Sequence, residues 1–249
     1  MSAPRITHYD WPGGREAMLC FGPDGGPTVI AALPLFEEGN RTRAALVAVL
    51  RQLAERGIAS ALPDLPGTGE SLLPTHEATL AGWRAAFAAA ARTLPGPVHV
   101  VAWRGGALVD TDAEVASRWH LSPLSGADTM RELRRMQAAA GGELFAGNRL
   151  SEVFVQELES DRLPGEGRGP VSAHSRIADP PRRASSQLGP GLRRGGGLIR
   201  TVRLATDPRP ADAHLPGRPL WRAAEPGTDP ALEAAVADDI AGWIATCAA

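Results

Sequence analysis

"VHVVAWRGGALVD", residues 98–110, is the stretch on which the fold turns. Val98, Val100, Val101 and Ala102 form an apolar, β-branched run of the kind that a sheet covers on both faces. His99 lies inside that run and reads as a core histidine satisfied by its neighbours. Ala102, Gly105 and Gly106 are small at the point where such a strand must reverse abruptly into a helix. A sharp strand-to-helix turn needs small flanking residues, because a larger Cβ would clash, and it pushes its middle residue out above the sheet edge. In the nucleophile elbow, small-x-Nu-x-small, that middle residue attacks the substrate. Here the pattern reads Ala102-Trp103-Arg104-Gly105-Gly106, and the apex is Arg104. A guanidinium stays protonated and has no lone pair to attack with.

Outward from the elbow, apolar strands alternate with amphipathic helices. "EAMLCFG" (16–22) reads as an opening strand whose "PDGG" makes a hairpin-type turn into a second strand, "TVIAALP" (28–34). Asn40 then caps a helix with Leu46, Val49, Leu50 and Leu53 on one stripe, stopped by Gly57. "IASALPD" (58–64) is the next strand, and Thr75 opens a helix through Leu80, Trp83, Phe87 and Ala91. After the elbow come a short strand and loop in "RWHLSPLSGAD" and a helix in "TMRELRRMQAAAG". Strands at 198–206 and 218–224 come next, and the closing helix turns Leu232, Val236, Ile240, Trp243 and Ile244 inward. This alternation predicts an α/β fold with a mixed, mostly parallel sheet and helices on both faces.

The chain has 249 residues, enough for one large α/β domain, and residues 1–249 are expected to form a single unit. A net charge of −2 gives no electrostatic reason to expect a nucleic-acid partner or an anionic membrane surface. There is no lysine, which excludes Schiff-base chemistry and a P-loop. Cys20 and Cys247 lack metal-type spacing, so no metal and no cofactor are expected. Unpaired thiols and the absence of a leader pattern in "MSAPRITHYDWPGG" or of a run near 20 apolar residues fit a cytoplasmic chain without membrane insertion. Residues 161–197 break the pattern, being rich in Arg, Gly, Pro and Ser without periodicity. They read as a disordered insertion, a mobile lid or an out-of-frame stretch, and none of these asks for chemistry from the segment.

"DLPGTGES" (64–71) resembles the D-x-x-G-x-G-x-S loop after the fourth strand of α/β-hydrolases, and with the elbow it makes the chain similar to that superfamily. More narrowly, "PLFEEGNRTR" (34–43), an arginine at the elbow and "PLWRAAEPG" (219–227) resemble the exosortase A system-associated hydrolases of type 2. The superfamily resemblance implies the α/β-hydrolase fold and a serine at the position of Arg104. It also implies an acid after the seventh strand, where Asp207 fits, and a histidine after the eighth, near "AAEPGTDP". The last histidine, His214, precedes that point. The narrower resemblance implies an accessory role beside exopolysaccharide and exosortase systems.

With the triad broken, substitutes come from nearby. Ser122 and Ser125 lie beyond the sixth strand close to His120, a candidate relocated serine–histidine pair, and His214 is a candidate relocated base. Each also has a plain reading as a loop residue bonding local backbone. A guanidinium at a covered sheet edge needs a partner. The loop carrying Phe36, Glu37, Glu38 and Asn40 offers Glu38 or Glu37 for an ion pair with Arg104. Alternatively, Arg104, flanked by Trp103 and Gly105, presents its fork to a small anionic ligand, aided by the N-terminus of the elbow helix. Two function classes remain: a non-catalytic binding or accessory factor, and a hydrolase of esters or thioesters using an unconventional nucleophile.

Overall fold

A computed structural model describes residues 3–145, 147–161, 193–194 and 197–248. The expectation for 161–197 therefore falls almost wholly outside the described residues. Two antiparallel strands open the chain, β1 (Arg5–Trp11) and β2 (Gly14–Phe21), paired from Arg5 against Cys20 to Trp11 against Gly14. The hairpin thus turns at Pro12 and Gly13 and not at 23–26, and β1 is a strand that the sequence pattern does not announce. Its alternation is masked because only Tyr9 of the seven residues is buried.

The sheet's centre comes next, with β3 (Thr28–Ala32) leading through α1 (Glu37–Glu55) to β4 (Ala59–Pro63). Beyond these lie α2 (Leu80–Thr93), β5 (Val98–Trp103) and β6 (Ser117–Leu121). Every residue of β3, β4, β5 and β6 is buried. That burial on both faces explains why the apolar runs are readable as strands. Helix α1 begins earlier than Asn40, on Phe36, and α2 is capped by Thr79, whose side chain accepts from the Gly82 amide, and not by Thr75.

Past β6 lie α3 (Gly126–Ala140) and α4 (Glu152–Ser160), capped by Ser125 and Ser151. Then come β7 (Arg193–Arg194), β8 (Gly197–Leu204), β9 (Ala213–Leu215) and α5 (Pro230–Cys247). The strand expected at 218–224 is a 3-10 turn, Leu220–Arg222, whose Leu220 and Trp221 are buried. Apolar residues there signal burial, and β9 at 213–215 takes the place beside β8.

The strand order is β1-β2-β4-β3-β5-β6-β8-β7, with β9 also on β8. Pairings from β4 through β6 to β9 are parallel, whereas β2 meets β4 antiparallel. Together with the sharp turn after β5, this order is the α/β-hydrolase fold. Alternating residues of β5 feed two cores. Val100 and Ala102 join Trp83, Phe87 and Phe154 on one face, and Val101 and Trp103 join Leu46, Leu50, Trp119 and Ile240 on the other. The chain moves from β3 to β4 on one side of the sheet and then to β5 on the other. In open α/β sheets such a reversal opens a crevice at the carboxyl edge.

Candidate functional site

Three non-glycine residues with positive φ stand at that edge: Phe36 (55°) beyond β3, Arg104 (55°) beyond β5 and Ser122 (47°) beyond β6. Such backbone costs on the order of 1–3 kcal/mol each and persists only where the surroundings enforce it. At the elbow the cause is steric. A Cβ on Gly106 would lie 2.6 Å from the carbonyl oxygens of Ala32 and Leu33, and one on Gly105 would lie 2.8 Å from Leu35 Cγ. The turn is therefore an elbow in its backbone. The chain leaves it in a 3-10 turn over Arg104–Leu108 and not in the α-helix expected.

Arg104 is 2% exposed. Its Nε donates to Glu38 Oε2 at 3.2 Å and its Nη2 to Glu38 Oε1 at 3.1 Å. The same Nη2 donates to both carboxylate oxygens of Glu132, at 3.0 and 2.9 Å, and the guanidinium lies 4.9 Å from the Trp221 ring centroid. Glu37 is not a partner, because it binds Arg41 at 3.2 Å one helical turn on. Arg41 in turn donates to the Trp221 carbonyl at 3.3 Å and fixes that residue's loop. One cation thus sits between two carboxylates, with an aromatic face against it. Burial pushes the Glu38 carboxyl above its ordinary range, Arg104 opposes that rise, and Glu132 adds to it. Nε and Nη2 of the fork are thus taken by carboxylates, so an anion approaching Arg104 would meet Glu38 and Glu132 beside it.

The remaining triad positions are also committed. Asp207 lies after β8 and accepts from Arg203 at 3.1 Å and from Arg209 at 2.7 Å. Hydrogen bonding from Arg209, reinforced by the charge of both arginines, holds it well below the usual carboxylate range. His214 lies within β9 and not in a loop; it is exposed, and its Nε2 meets the Arg209 carbonyl at 3.1 Å. Beyond β9 the Trp221 ring packs against the Arg104 guanidinium, and the segment 223–230, where the superfamily resemblance asks for a histidine, contains none.

The relocated pair does not assemble. Ser125 caps α3, accepting from the Asp128 amide at 3.1 Å and donating to its carboxylate at 2.9 Å. His120 is buried with Nε2 2.7 Å from Asp110 Oδ2, and Arg118 reaches Asp110 Oδ1 at 3.6 Å. Ser122 is buried too, and its Oγ has no hydrogen-bond partner among the described residues. No bond joins it to His120. His99 meets Ser117 Oγ at 2.8 Å inside the sheet, as a satisfied core histidine should, and burial lowers its basicity.

Beside the elbow, at the carboxyl ends of β3 and β4, lies a cavity of about 610 Å³. Phe36, Asn40, Arg43, Asp64, Glu70 and Asn148 are among its lining residues. Phe36 and Asn40 belong to the loop singled out by sequence, and Arg43, Glu70 and Trp221 lie in its quoted motifs without a role assigned to them, whereas Glu132 does not emerge from sequence. Trp103 and Gly105 are buried under the elbow.

No protein-family model matches the chain, and no curated protein matches it. Among solved structures, it is similar to an α/β serine hydrolase without a lid from Xanthomonas campestris, with 19% identity and a TM-score of 0.43 over 51% of this chain and 64% of that one. An epoxide hydrolase from Vigna radiata has 21% identity and a TM-score of 0.41, over 55% of this chain and 46% of the enzyme. A thioesterase domain of the curacin biosynthetic pathway has 20% identity and a TM-score of 0.44, over 56% and 52%. The chain spans between about half and two thirds of these structures' lengths. Among the described residues no helix is long and apolar enough to cross a membrane, and no group of three His, Cys, Asp or Glu could hold a metal.

Proposed function

We propose that this chain is a non-catalytic α/β-hydrolase-fold protein, a binding or accessory factor working in the cytoplasm. One observation carries the reading: the apex of the elbow is an arginine locked by Glu38 and Glu132 where an attacking oxygen would stand. The committed Asp207 supports it, since a carboxylate held by two arginines has little capacity left to orient an imidazole. Pro34-to-Arg43, the arginine at the elbow and the Pro219-to-Gly227 segment support a place beside exosortase or exopolysaccharide systems. On this reading residues 1–249 act as one unit in which 161–197 is an insertion.

A hydrolase of esters or thioesters with an unconventional nucleophile is the second reading, and the unpartnered buried Oγ of Ser122 favours it. A fluorophosphonate probe and p-nitrophenyl ester and thioester substrates, applied to the purified chain, separate the two. The non-catalytic reading expects neither labelling nor turnover. Stoichiometric labelling mapped to Ser122 would replace it with the second.

A further inference from the structure

The cavity at the ends of β3 and β4 is built from parts that the elbow does not use. Its floor is the Asp64-to-Ser71 loop, held by its own hydrogen bonds. Tyr9 Oη donates to the Asp64 carbonyl at 2.6 Å, the Glu70 amide to Asp64 Oδ2 at 3.1 Å, and the Gly67 amide to Ser71 Oγ at 2.9 Å. Gly69 has φ 55°, and a Cβ there would lie 2.3 Å from the Asp64 carboxyl carbon, so the loop closes on Asp64 only with glycine. Thr68 and Thr75 hydroxyls are tied to loop carbonyls at 2.8 and 2.7 Å. These polar groups shape the wall and are satisfied within it.

Three lining side chains keep hydrogen-bonding capacity in hand. Arg43 gives only Nη2 to Asp64, at 3.3 Å, which leaves its Nε and Nη1 without a partner among the described residues. The Asn40 amide and the Glu70 carboxylate likewise have no side-chain partner among the described residues. Together they offer donors, acceptors and one group that is both. Their charges decide what they can hold. Among the described residues lining the cavity, Arg43 is the sole basic one, against two carboxylates, Asp64 and Glu70. An anion would be repelled. The mixture of donors and acceptors suits groups that do both at close spacing, as hydroxyl groups do, and half-buried Phe36, Leu65 and Leu73 suit an apolar face.

From this lining we infer that the cavity binds a neutral polyhydroxylated ligand of the sugar class, held by Asn40, Arg43 and Glu70. The inference rests on the non-catalytic reading above, since it makes binding the activity of this edge. Saturation-transfer NMR and calorimetry on the full chain, with D-glucose, D-galactose, N-acetyl-D-glucosamine and their disaccharides, test it. D-glucuronate, acetate, inorganic phosphate and the cationic D-glucosamine serve as charged comparators. At least one neutral sugar should bind saturably and more tightly than every comparator. Loss of a hydrogen bond to a charged group predicts about tenfold weaker binding in Glu70→Ala, and loss of one from a neutral amide about fivefold in Asn40→Ala. Both residues are exposed, so the variants should melt like the parent, and melting curves check that. The sugar assignment is overturned if no neutral sugar saturates, if a comparator binds better, or if folded variants bind unchanged. Ester turnover measured on the same preparation separates the two failures. Turnover sinks the non-catalytic reading, whereas absent sugar binding without turnover sinks only the ligand class.

Discussion

The elbow and the neighbouring cavity share one sheet edge and dispose of their polar groups in opposite ways. At the elbow, Arg104, Glu38, Glu132 and Trp221 are turned on one another and largely sealed from water. In the cavity, the loop satisfies its own hydroxyls and leaves Asn40, Arg43 and Glu70 facing an open volume of about 610 Å³. Both contain charges, so charge alone does not mark a functional site. What distinguishes them is whether hydrogen-bonding capacity is used up inside the protein. Buried polar networks are stabilising only when complete, and a complete one has nothing left for a ligand.

The comparison breaks most directly at Arg104. Arg104→Ala leaves two carboxylates without their cation, at side-chain exposures of 14% for Glu38 and 28% for Glu132. Removing one partner of such a buried pair costs about 3 kcal/mol or more. Adding Glu38→Gln should recover about 1 kcal/mol, because an amide leaves no uncompensated charge. Denaturant melts of both singles and the double decide it. Strict additivity would show that Glu38 is energetically idle and that Glu132 alone holds the arginine.

Arg104→Ser sharpens the contrast through activity. It restores a hydroxyl at the apex, yet the neighbours of that apex are Glu38, Glu132 and the Trp221 ring, and Asp207 is bound by two arginines. A positioned general base contributes roughly 10²–10⁴-fold, and no histidine among the described residues is bonded at the apex. The variant should therefore hydrolyse p-nitrophenyl acetate no faster than the parent. Burst kinetics in Arg104→Ser would show that His120 or His214 can reach the apex after all.

A smaller effect should appear in the pH dependence of folding. Glu38 ordinarily titrates near 4.5, and burial, helped by Glu132, raises it in the folded chain. The folded state then holds a proton that the unfolded state has released, so stability falls as pH rises from about 4.5 through the higher folded value and levels off above it. In Glu38→Gln that portion of the slope should vanish. An unchanged slope between the two proteins would place the proton elsewhere in the cluster, with Glu132 the next group to replace.

These two regions also differ in how far sequence alone discloses them. Strands β3 to β6 and the elbow are legible because full burial writes continuous apolar runs and steric crowding writes Gly105 and Gly106. The need for an acidic partner is legible from the cost of a lone buried guanidinium, and Glu38 is one of the two residues which that argument offers. Glu132 is not legible, because it lies on a helix with polar residues on most sides, 28 positions from Arg104, and nothing local links them. Trp221 sits in a turn where its apolar neighbours suggest a strand, since an apolar cluster marks burial without stating backbone shape. Helix α4 does carry a local signal, with Ser151 as its cap and Phe154 and Leu158 one turn apart, although it is too short for its periodicity to stand out. The cavity is invisible for a different reason: it consists of capacity left over when Thr68, Ser71 and Thr75 bond locally, which only three-dimensional contacts disclose.

The smallest effect concerns Asp207, where the superfamily resemblance expects the acid. Its carboxylate is partly exposed and paired with Arg203 and the more exposed Arg209, so exposure and salt screen much of the attraction. Asp207→Asn should then cost about 1 kcal/mol or less at neutral pH. The sign of its pH dependence is opposite to that of Glu38. Hydrogen bonds from Arg209 lower the folded value, so the stabilisation is present above the unfolded value, about 3.9, and is lost as pH falls through the folded one. The gap between parent and variant should therefore hold steady from neutral pH down to about 4 and shrink in stronger acid. Raising the salt to about 1 M should narrow it as well, because screening then acts within a few ångströms. Urea melts at several pH values measure both. A gap of several kcal/mol that resists salt would mean that Asp207 belongs with the sealed elbow, and the line between the two regions would have to be redrawn to include it.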